Sequence, residues 1–584
     1  MKLLLNNNWL ALGFIVLVSS ALFIPLLGSC PLFDWDEINF AECAREMVVT
    51  NNYSSVQLNY NPFWEKPPFF IWLQAISMNI FGINEFAARF PNALCGIITL
   101  CVIYLIGKKI NSPAFGLTWV LVYAGTLLPH FYFKSGIIDP WFNLFIFLSF
   151  YQLLMHFNNP IGKSGFLSAL LAGFFLGIAV LTKGPAAIVI VGAFVLVYGV
   201  VKKFKNITTL KFVIIFAISL LVTGCSWFVV ELLRGNYNII EAFFKYQLQL
   251  LTTEDSGHGG SFLYHVVVLL VGCFPTSLLL LLAIKKSESD TPYQKHIKRG
   301  MLFLLGVVLI IFSLLVKTKI VHYSSLCYLP LTYLATYSVF KLINKEYKLK
   351  SIFIYSFVAI SFIVGMAFTL IGLIEYLKPW ILKNNFIDNA FIIGNINAQV
   401  HWQGWEWLTG IIFMLLSFYF IWKIRIGKEK FIFYLYGFYV IFICICINTF
   451  APKIELYSQQ APIDFYRAIA KKQFYIETAG FKSYAYLFYG EKRAEQNLNA
   501  DCVNFVSKTL DSMEKNGYTR ITSYSLAYLN WMQFGNIDRP AIFICKAGSE
   551  NDLLSNKLIK KIYSKNGYVF CCRLPQKEWI NNFP

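Results

Sequence analysis

Residues 33 to 68 begin Phe33-Asp34-Trp35-Asp36-Glu37-Ile38-Asn39-Phe40-Ala41-Glu42-Cys43-Ala44-Arg45-Glu46 and end Phe63-Trp64-Glu65-Lys66-Pro67-Pro68. Carboxylates gather here in a chain of 584 residues that is 57% hydrophobic and only 14% charged. A long apolar run ends just before the stretch, and others follow it. Ionisable groups held beside a bilayer are costly enough that such a cluster reads as a functional site.

Outward from this stretch the chain is too apolar for one soluble domain: mean hydropathy is +0.57 and 18% of residues are aromatic. It reads as an α-helical polytopic membrane protein. At roughly 20 apolar residues per crossing of a ~30 Å hydrocarbon core, about thirteen spans are expected. They lie near 9-28, 90-107, 114-130, 136-156, 165-181, 184-201, 211-233, 262-284, 299-316, 322-342, 351-375, 408-423 and 430-449. The formal charge of +19 does not signal nucleic acid, because its lysines fall in alternate loops: Lys108-Lys109, Lys202 to Lys205, Lys285 to Arg299, Lys345 to Lys350 and Lys423 to Lys430. By the positive-inside rule these loops and the N-terminus are cytoplasmic, and the loops starting at 29, 234, 376 and 450 are outside. The first apolar run is longer than a signal-peptide core and is read as a span, although Leu27-Gly28-Ser29-Cys30 loosely resembles a lipoprotein cleavage box.

The loop from 29 to 89 is far longer than an ordinary connection. Its middle, Ala41 to Val49, mixes charged and apolar residues, and Pro67-Pro68 opens a second apolar run that stops at Phe81-Gly82. Both are expected as interfacial helices lying on the membrane. From 451 to 584 the spans cease. Strand-like runs (Phe474 to Ile476, Ala541 to Cys545, Tyr568 to Cys571) alternate with helical patterns (Val503 to Lys515, Leu553 to Tyr563), so a soluble α/β domain outside the membrane is expected. Seven of thirteen cysteines lie within spans and read as small hydrophobes. Cys30, Cys43, Cys502, Cys545, Cys571 and Cys572 face a compartment where disulfides can form, and no spacing matches a zinc or haem site.

The outer membrane edge thus collects Asp36, Glu37, Glu65, Lys66, Asp139, Lys183, Lys245, His258, Lys317, Lys319, His322 and Tyr323. Carboxylates with lysines suit a reaction in which a base deprotonates or orients an acceptor hydroxyl while cations stabilise a departing phosphate. Each residue also has a structural reading. Asp34 or Asp36 is a possible helix cap, Asp139 before a proline a turn residue, and Lys66, Lys317 and Lys319 headgroup contacts. His258 between glycines reads as a loop residue, and Tyr323 as belt aromatic.

The pattern Asp36-Glu37-x-x-Phe40-Ala41-Glu42-x-x-Arg45-Glu46-Met47, then Glu65-Lys66-Pro67-Pro68, then Asn84-Glu85-Phe86-Ala87-Ala88-Arg89-Phe90-Pro91, resembles the aminoarabinose-transferase and protein O-mannosyltransferase superfamily of bacterial membrane glycosyltransferases, with the GT-C architecture. Leu181-Thr182-Lys183-Gly184-Pro185 and Lys317-x-Lys319-x-x-x-Tyr323 extend the likeness over most of the membrane region, from residue 1 to 450. By motif position, Asp36 resembles the family's first-loop catalytic aspartate and Asp139 its second acid. Lys66 resembles the lysine that holds the lipid phosphate, with Glu65 beside it, and Tyr323 a tyrosine lining the donor cavity. Two departures stand out: Asn39 and Gln249 occupy positions where the aminoarabinose transferases carry basic residues.

The resemblance implies an inverting glycosyltransferase that uses a polyprenyl-phosphate sugar, such as an undecaprenyl-phosphate sugar, on the periplasmic face of the inner membrane. Asp36, Asp139 and Glu37 are the expected catalytic set; Lys66, Lys183, Lys245 and Lys319 the phosphate-binding set; and Glu65, Tyr323, His258 and His322 the cavity. A lipid such as lipid A or a cell-envelope glycan is the expected acceptor, and protein Ser/Thr the alternative. With the phosphate carried by Lys66, no obligatory metal is expected. A lipid-glycan flippase is the reading from another class, and it leaves the acids at one edge without a role.

Overall fold

In the computed structural model, residues 2–159, 165–205, 207–252, 260–384, 386–494, 500–515 and 520–575 are described. Among them, seven helices are long and apolar enough to cross a bilayer: Glu85–Ile110, Gly165–Lys183, Pro292–Leu315, Val321–Ile343, Ser351–Gly372, Trp407–Arg425 and Phe431–Ser458. Two bent pairs, Leu210–Gly224 with Ser226–Leu233 and Tyr264–Gly272 with Thr276–Ile284, raise the number to nine. The chain is an integral membrane protein. Three of the remaining expected spans fall on the shorter helices Asn8–Phe23, Pro113–Ala124 and Ala186–Val201. At 1.5 Å per residue, helices of 12 to 16 residues stop short of a ~30 Å hydrocarbon core. The last falls on Asp139–Asn158, whose first residue is a carboxylate.

Burial separates centre from rim. The helical segment Val321–Ile343 has 89% of its apolar window buried, whereas Ser351–Gly372 has 28%, so the former is the hub and the latter faces lipid. The segment that enters this hub is irregular: a π-turn at Ile311–Leu315 is followed by extended backbone and a 3-10 turn at Val321–Cys327. Such breaks in a helical path concentrate at functional places.

Asp36–Thr50 is a helix, as the amphipathic pattern implies, and it is enclosed by protein. Every residue from Glu37 to Met47 is buried. The residues after 459 cover it: Ile38, Ala41, Ala44 and Met47 share a core with Tyr466, Tyr486, Leu487 and Phe570. Its charges are paired inside this contact. Arg45 donates to Glu42 at 2.6 Å and to the Lys492 carbonyl at 2.8 Å, and the Tyr60 hydroxyl reaches the same carbonyl at 2.6 Å. The second helix, Phe69–Phe81, keeps an exposed apolar side (Ile76, Ile80, Phe81) opposite buried Phe70, Ile71 and Met78, the pattern of an interfacial helix.

The last span runs on to Ser458, and a short helix, Gln460–Ile469, leads into a four-stranded sheet. Its spatial order is Tyr475–Ala479, Ala541–Lys546, Tyr568–Arg573 and Ile559–Lys565, with the first pair parallel and the others antiparallel. The helix expected over 553–563 is instead an edge strand. Asn566 and Gly567, at φ 50° and 78°, supply the two positive-φ residues of a tight hairpin turn, and the strand pairs back onto Tyr568–Arg573. All thirteen cysteines are free thiols.

Glu406 joins two spans at their outer ends. It accepts the Gln403 and Gly404 N–H groups at 2.9 Å each and pairs with Lys453 of the Phe431–Ser458 helix. Burial pushes its carboxyl up, but Lys453 and the N–H donors outweigh this and hold it at about 2. A carboxyl lowered on folding stabilises the protein above its ordinary value and loses that contribution as the pH falls towards about 2. Thermal unfolding of the detergent-solubilised protein should therefore fall between pH 5 and pH 3, and Glu406→Gln should flatten that fall.

Candidate active site

Several helix starts converge on one cavity of about 230 Å³. Asp36 is the first residue of Asp36–Thr50, Asp139 the first of Asp139–Asn158, and Ala186 opens the helix after Lys183-Gly184-Pro185. A carboxylate at a helix N-terminus is favoured by the backbone dipole, so each acid is stabilised where it stands. Asp36, Asp139, Lys183 and Ala186 line the cavity, together with Glu65, Lys66, His322 and Tyr323.

The His322 ring joins the two acids. Its Nε2 stands 3.3 Å from Asp36 Oδ2 and 3.9 Å from Asp139 Oδ2. Lys183 donates to Asp139 Oδ1 at 2.6 Å, and its ammonium lies 5.1 Å from the centre of the Tyr323 ring. The acids differ in access: the Asp36 side chain is 29% exposed and that of Asp139 3%. Asp139 Oδ2 is buried with no hydrogen-bond partner among the described residues. Asp36 is thus the carboxylate a substrate can reach, and Asp139 is held behind it by Lys183.

Lys66 lies 5.4 Å from the Tyr246 ring centre, and Glu65 is held by Tyr246 and by Gln247, which donates to its carbonyl. The Tyr237–Thr252 helix can approach this closely because of Gly184. At φ +93° it forms a turn other residues avoid, and a Cβ there would stand 2.8 Å from the Phe243 ring. Beyond the charges the wall is apolar, with Phe142, Ile190, Phe312, Val316, Ile320 and Leu326. The cavity therefore combines charged groups with apolar wall. No group of three His, Cys, Asp or Glu side chains arranged to hold a metal occurs among the described residues.

Three of the expected site residues are placed elsewhere. Glu37 is buried and committed: both its oxygens pair with Arg89 at 2.8 Å, and they also accept the Phe33 and Gly136 N–H groups. A carboxylate with all these bonds filled is structural. Lys245 is 76% exposed and paired with Glu241 at 2.7 Å, on the face of its helix turned from the cavity. Lys319 spends all three ammonium protons on the Phe312, Ser313 and Val316 carbonyls of the π-turn, at 2.8, 2.9 and 2.6 Å. His258, and the side chain of Gln249, lie outside the described residues. Asn39 does line the cavity.

Among the cavity residues not singled out from the sequence are Trp35, Tyr246, Lys482 and Tyr484. Trp35 and Tyr246 each sit next to an expected site residue, Asp36 and Lys245. Lys482 and Tyr484 come from beyond the last span, where nothing local in the sequence connects them to the first loop.

Comparison with known proteins follows this geometry. A family profile described as dolichyl-phosphate-mannose-protein mannosyltransferase matches residues 65–227. The chain is 24% identical over 343 residues to the undecaprenyl phosphate-alpha-4-amino-4-deoxy-L-arabinose arabinosyl transferase 1 of Proteus mirabilis, covering 58% of this chain and 61% of that protein. It is 26% identical over 430 residues to arabinosyl transferase 2 of the same organism, covering 69% and 75%. The chain thus spans about three-fifths of the length of the first of these relatives. Among solved structures, ArnT from Cupriavidus metallidurans bound to undecaprenyl phosphate superposes with a TM-score of 0.71 at 14% identity, covering 97% of this chain and 98% of that one. The shared fold extends over both the membrane region and the sheet that follows it.

The division between Asp36 and Glu37 is testable by stability. Removing one partner of a buried pair costs about 3–5 kcal/mol, so Glu37→Gln and Arg89→Met should each lower the thermal midpoint markedly. Asp36→Asn should leave it near that of the parent.

Proposed function

We propose that the chain is a GT-C membrane glycosyltransferase of the superfamily of aminoarabinose transferases and protein O-mannosyltransferases, and that it moves a sugar from a polyprenyl-phosphate donor to an acceptor on a lipid or cell-envelope glycan. One observation carries the reading: a reachable carboxylate, Asp36, faces His322 and the Asp139–Lys183 pair in a cavity whose wall also holds Phe142, Ile190, Phe312 and Leu326. Charged and apolar lining together suit a donor that is phosphate and sugar at its head and isoprenoid along its tail.

In this mechanism Asp36 takes or orients the acceptor proton as the acceptor oxygen attacks the anomeric carbon. The sugar–oxygen bond to the phosphate breaks, and the bond electrons leave on polyprenyl phosphate. Lys66 and Lys183 stabilise the developing phosphate charge in a site screened from bulk water. A single displacement inverts the anomeric centre. Asp139 keeps Lys183 aimed at the cavity, and His322 links the acids. With two lysines available to the phosphate, the reaction is proposed to run without an obligatory metal. The acceptor oxygen belongs to a lipid hydroxyl or phosphate in the preferred reading and to protein Ser/Thr in the other, which the mannosyltransferase profile over residues 65–227 supports.

The protein is placed in the bacterial inner membrane with its N-terminus cytoplasmic and the cavity periplasmic. The lysines at the end of the Glu85–Ile110 helix and in the loop after Val201 support this orientation.

The test is sugar transfer by purified protein from defined undecaprenyl-phosphate sugars to lipid A and to Ser/Thr peptides. Asp36→Asn should reduce kcat about 10²–10⁴-fold, the usual contribution of a positioned base, while donor binding persists. Lys66→Ala should weaken donor binding by about 1.5–3 kcal/mol, as for a hydrogen bond to a charged group. Chelator should leave turnover unchanged. Full transfer in both variants would overturn the assignment, and donor flipping without transfer would favour a flippase.

A further inference from the structure

The turn that delivers Asp36 to the cavity is strained and held from outside the membrane region. Trp35 sits at φ 81° and ψ −111°, a region that a bulky residue occupies only when its surroundings impose it. The Asp36–Thr50 helix has no side-chain cap of its own. Its first turn closes on this loop through Ile38 N–H to the Phe33 carbonyl at 3.3 Å and Asn39 N–H to the Trp35 carbonyl at 3.1 Å.

What imposes the turn comes from a segment more than 440 residues away in sequence. Ser483, buried, donates to Asp34 Oδ1 at 3.1 Å, and the same oxygen accepts the Trp35 N–H at 2.8 Å. The Lys482 ammonium lies 5.2 Å from the Trp35 ring centre and 5.3 Å from that of Tyr484, within range of cation–π attraction. Among the described residues no carboxylate stands within ion-pair distance of Lys482. Two further bonds anchor the same contact: the Leu32 N–H donates to the Tyr489 hydroxyl at 2.7 Å, and Arg45 grips the Lys492 carbonyl. Trp35, Lys482 and Tyr484 also line the cavity beside Asp36.

We propose that Lys482 and Ser483 are positioning residues of the active site: they hold the Asp34-Trp35 turn in its strained form, and so aim the Asp36 carboxylate into the cavity. The soluble sheet domain is then a working part of the site. The inference rests on the glycosyltransferase reading for its effect on turnover, but the clamp itself has a readout free of it.

The experiment uses the full chain with Ser483→Ala, Ser483→Thr, Lys482→Ala and Lys482→Arg, and Lys560→Ala on the exposed edge strand as a control in the same domain. Hydrogen–deuterium exchange of peptides covering residues 33 to 40 is measured beside transfer kinetics with undecaprenyl-phosphate sugar. Ser483→Ala and Lys482→Ala should speed exchange in those peptides and lower kcat about tenfold or more, since about 1.4 kcal/mol of lost positioning is tenfold in rate. Donor KM should stay within about twofold, because Lys66 and Lys183 are untouched. Ser483→Thr and Lys482→Arg should restore both readouts, and Lys560→Ala should change neither. Unchanged exchange in the alanine variants overturns the proposal, as does faster exchange with unchanged kcat. Faster exchange in a protein that transfers no sugar even as wild type would leave the clamp standing and sink the glycosyltransferase reading instead.

Discussion

Arg89 and Glu37 form a buried bidentate pair on which the geometry of the whole outer edge depends. Arg89 spends its remaining donors on the Leu27, Cys30 and Pro31 carbonyls, which fixes the path of the chain out of the first apolar helix. Glu37 accepts the N–H of Gly136, three residues before Asp139, and is itself the neighbour of Asp36. One ion pair thus sets the spacing between the two acids of the cavity. A Cβ at Gly136 would stand 3.1 Å from the Glu37 side chain, so the approach leaves little space for a larger residue. Such a pair tolerates burial only when its remaining donors and acceptors are satisfied, and here those bonds are to the backbone segments that must be held.

The same economy of protons sorts the lysines. Lys319 and Lys245 are spent, one on the carbonyls of a π-turn and the other on Glu241 in solvent. Lys66 and Lys183 both line the cavity, each resting against an aromatic ring. Aromatic faces support an ammonium without neutralising it, so these two cations keep their charge available to an anionic ligand. Lys183 is shared with Asp139, and a departing phosphate would compete for it. The buried acid therefore serves to position a cation as well as to add charge to the site.

Covering the Asp36 helix changes what the first loop is. A helix carrying Glu42, Arg45 and Glu46 would stand at the membrane surface if left alone. Under the sheet domain these charges are removed from water, and each needs a partner. Arg45 finds Glu42 and a carbonyl of the distant chain, and Glu46 accepts the Tyr60 N–H. Burial pushes the Glu46 carboxyl well above its usual range, the neighbouring Glu42 adding to the effect. Lys492, also buried, is drawn down to about 8 by the loss of water, with Glu477 and Glu46 working against the shift. The contact between loop and domain is thus a polar network of limited tolerance, the kind that specifies one geometry.

What the sequence determined by itself is whatever depends on short range. Apolar runs declare helices in a membrane, and Asp36, Lys66, Asp139 and Lys183 are legible because motif and edge position coincide. The strand at 559–565 was also written locally, in Asn566-Gly567, and was misread because the lysines around it suit an exposed helix as well as an exposed sheet edge. Only the tertiary structure decided which polar residues stay free. Glu37, Lys245 and Lys319 carry the same charges as their neighbours, and their removal from the site follows from partners that fold against them. Lys482 and Ser483 enter the site for the converse reason, since two segments more than 440 residues apart meet only when the sheet packs on the first loop. A side chain's chemistry is local, but the water and partners left to it are a property of the fold.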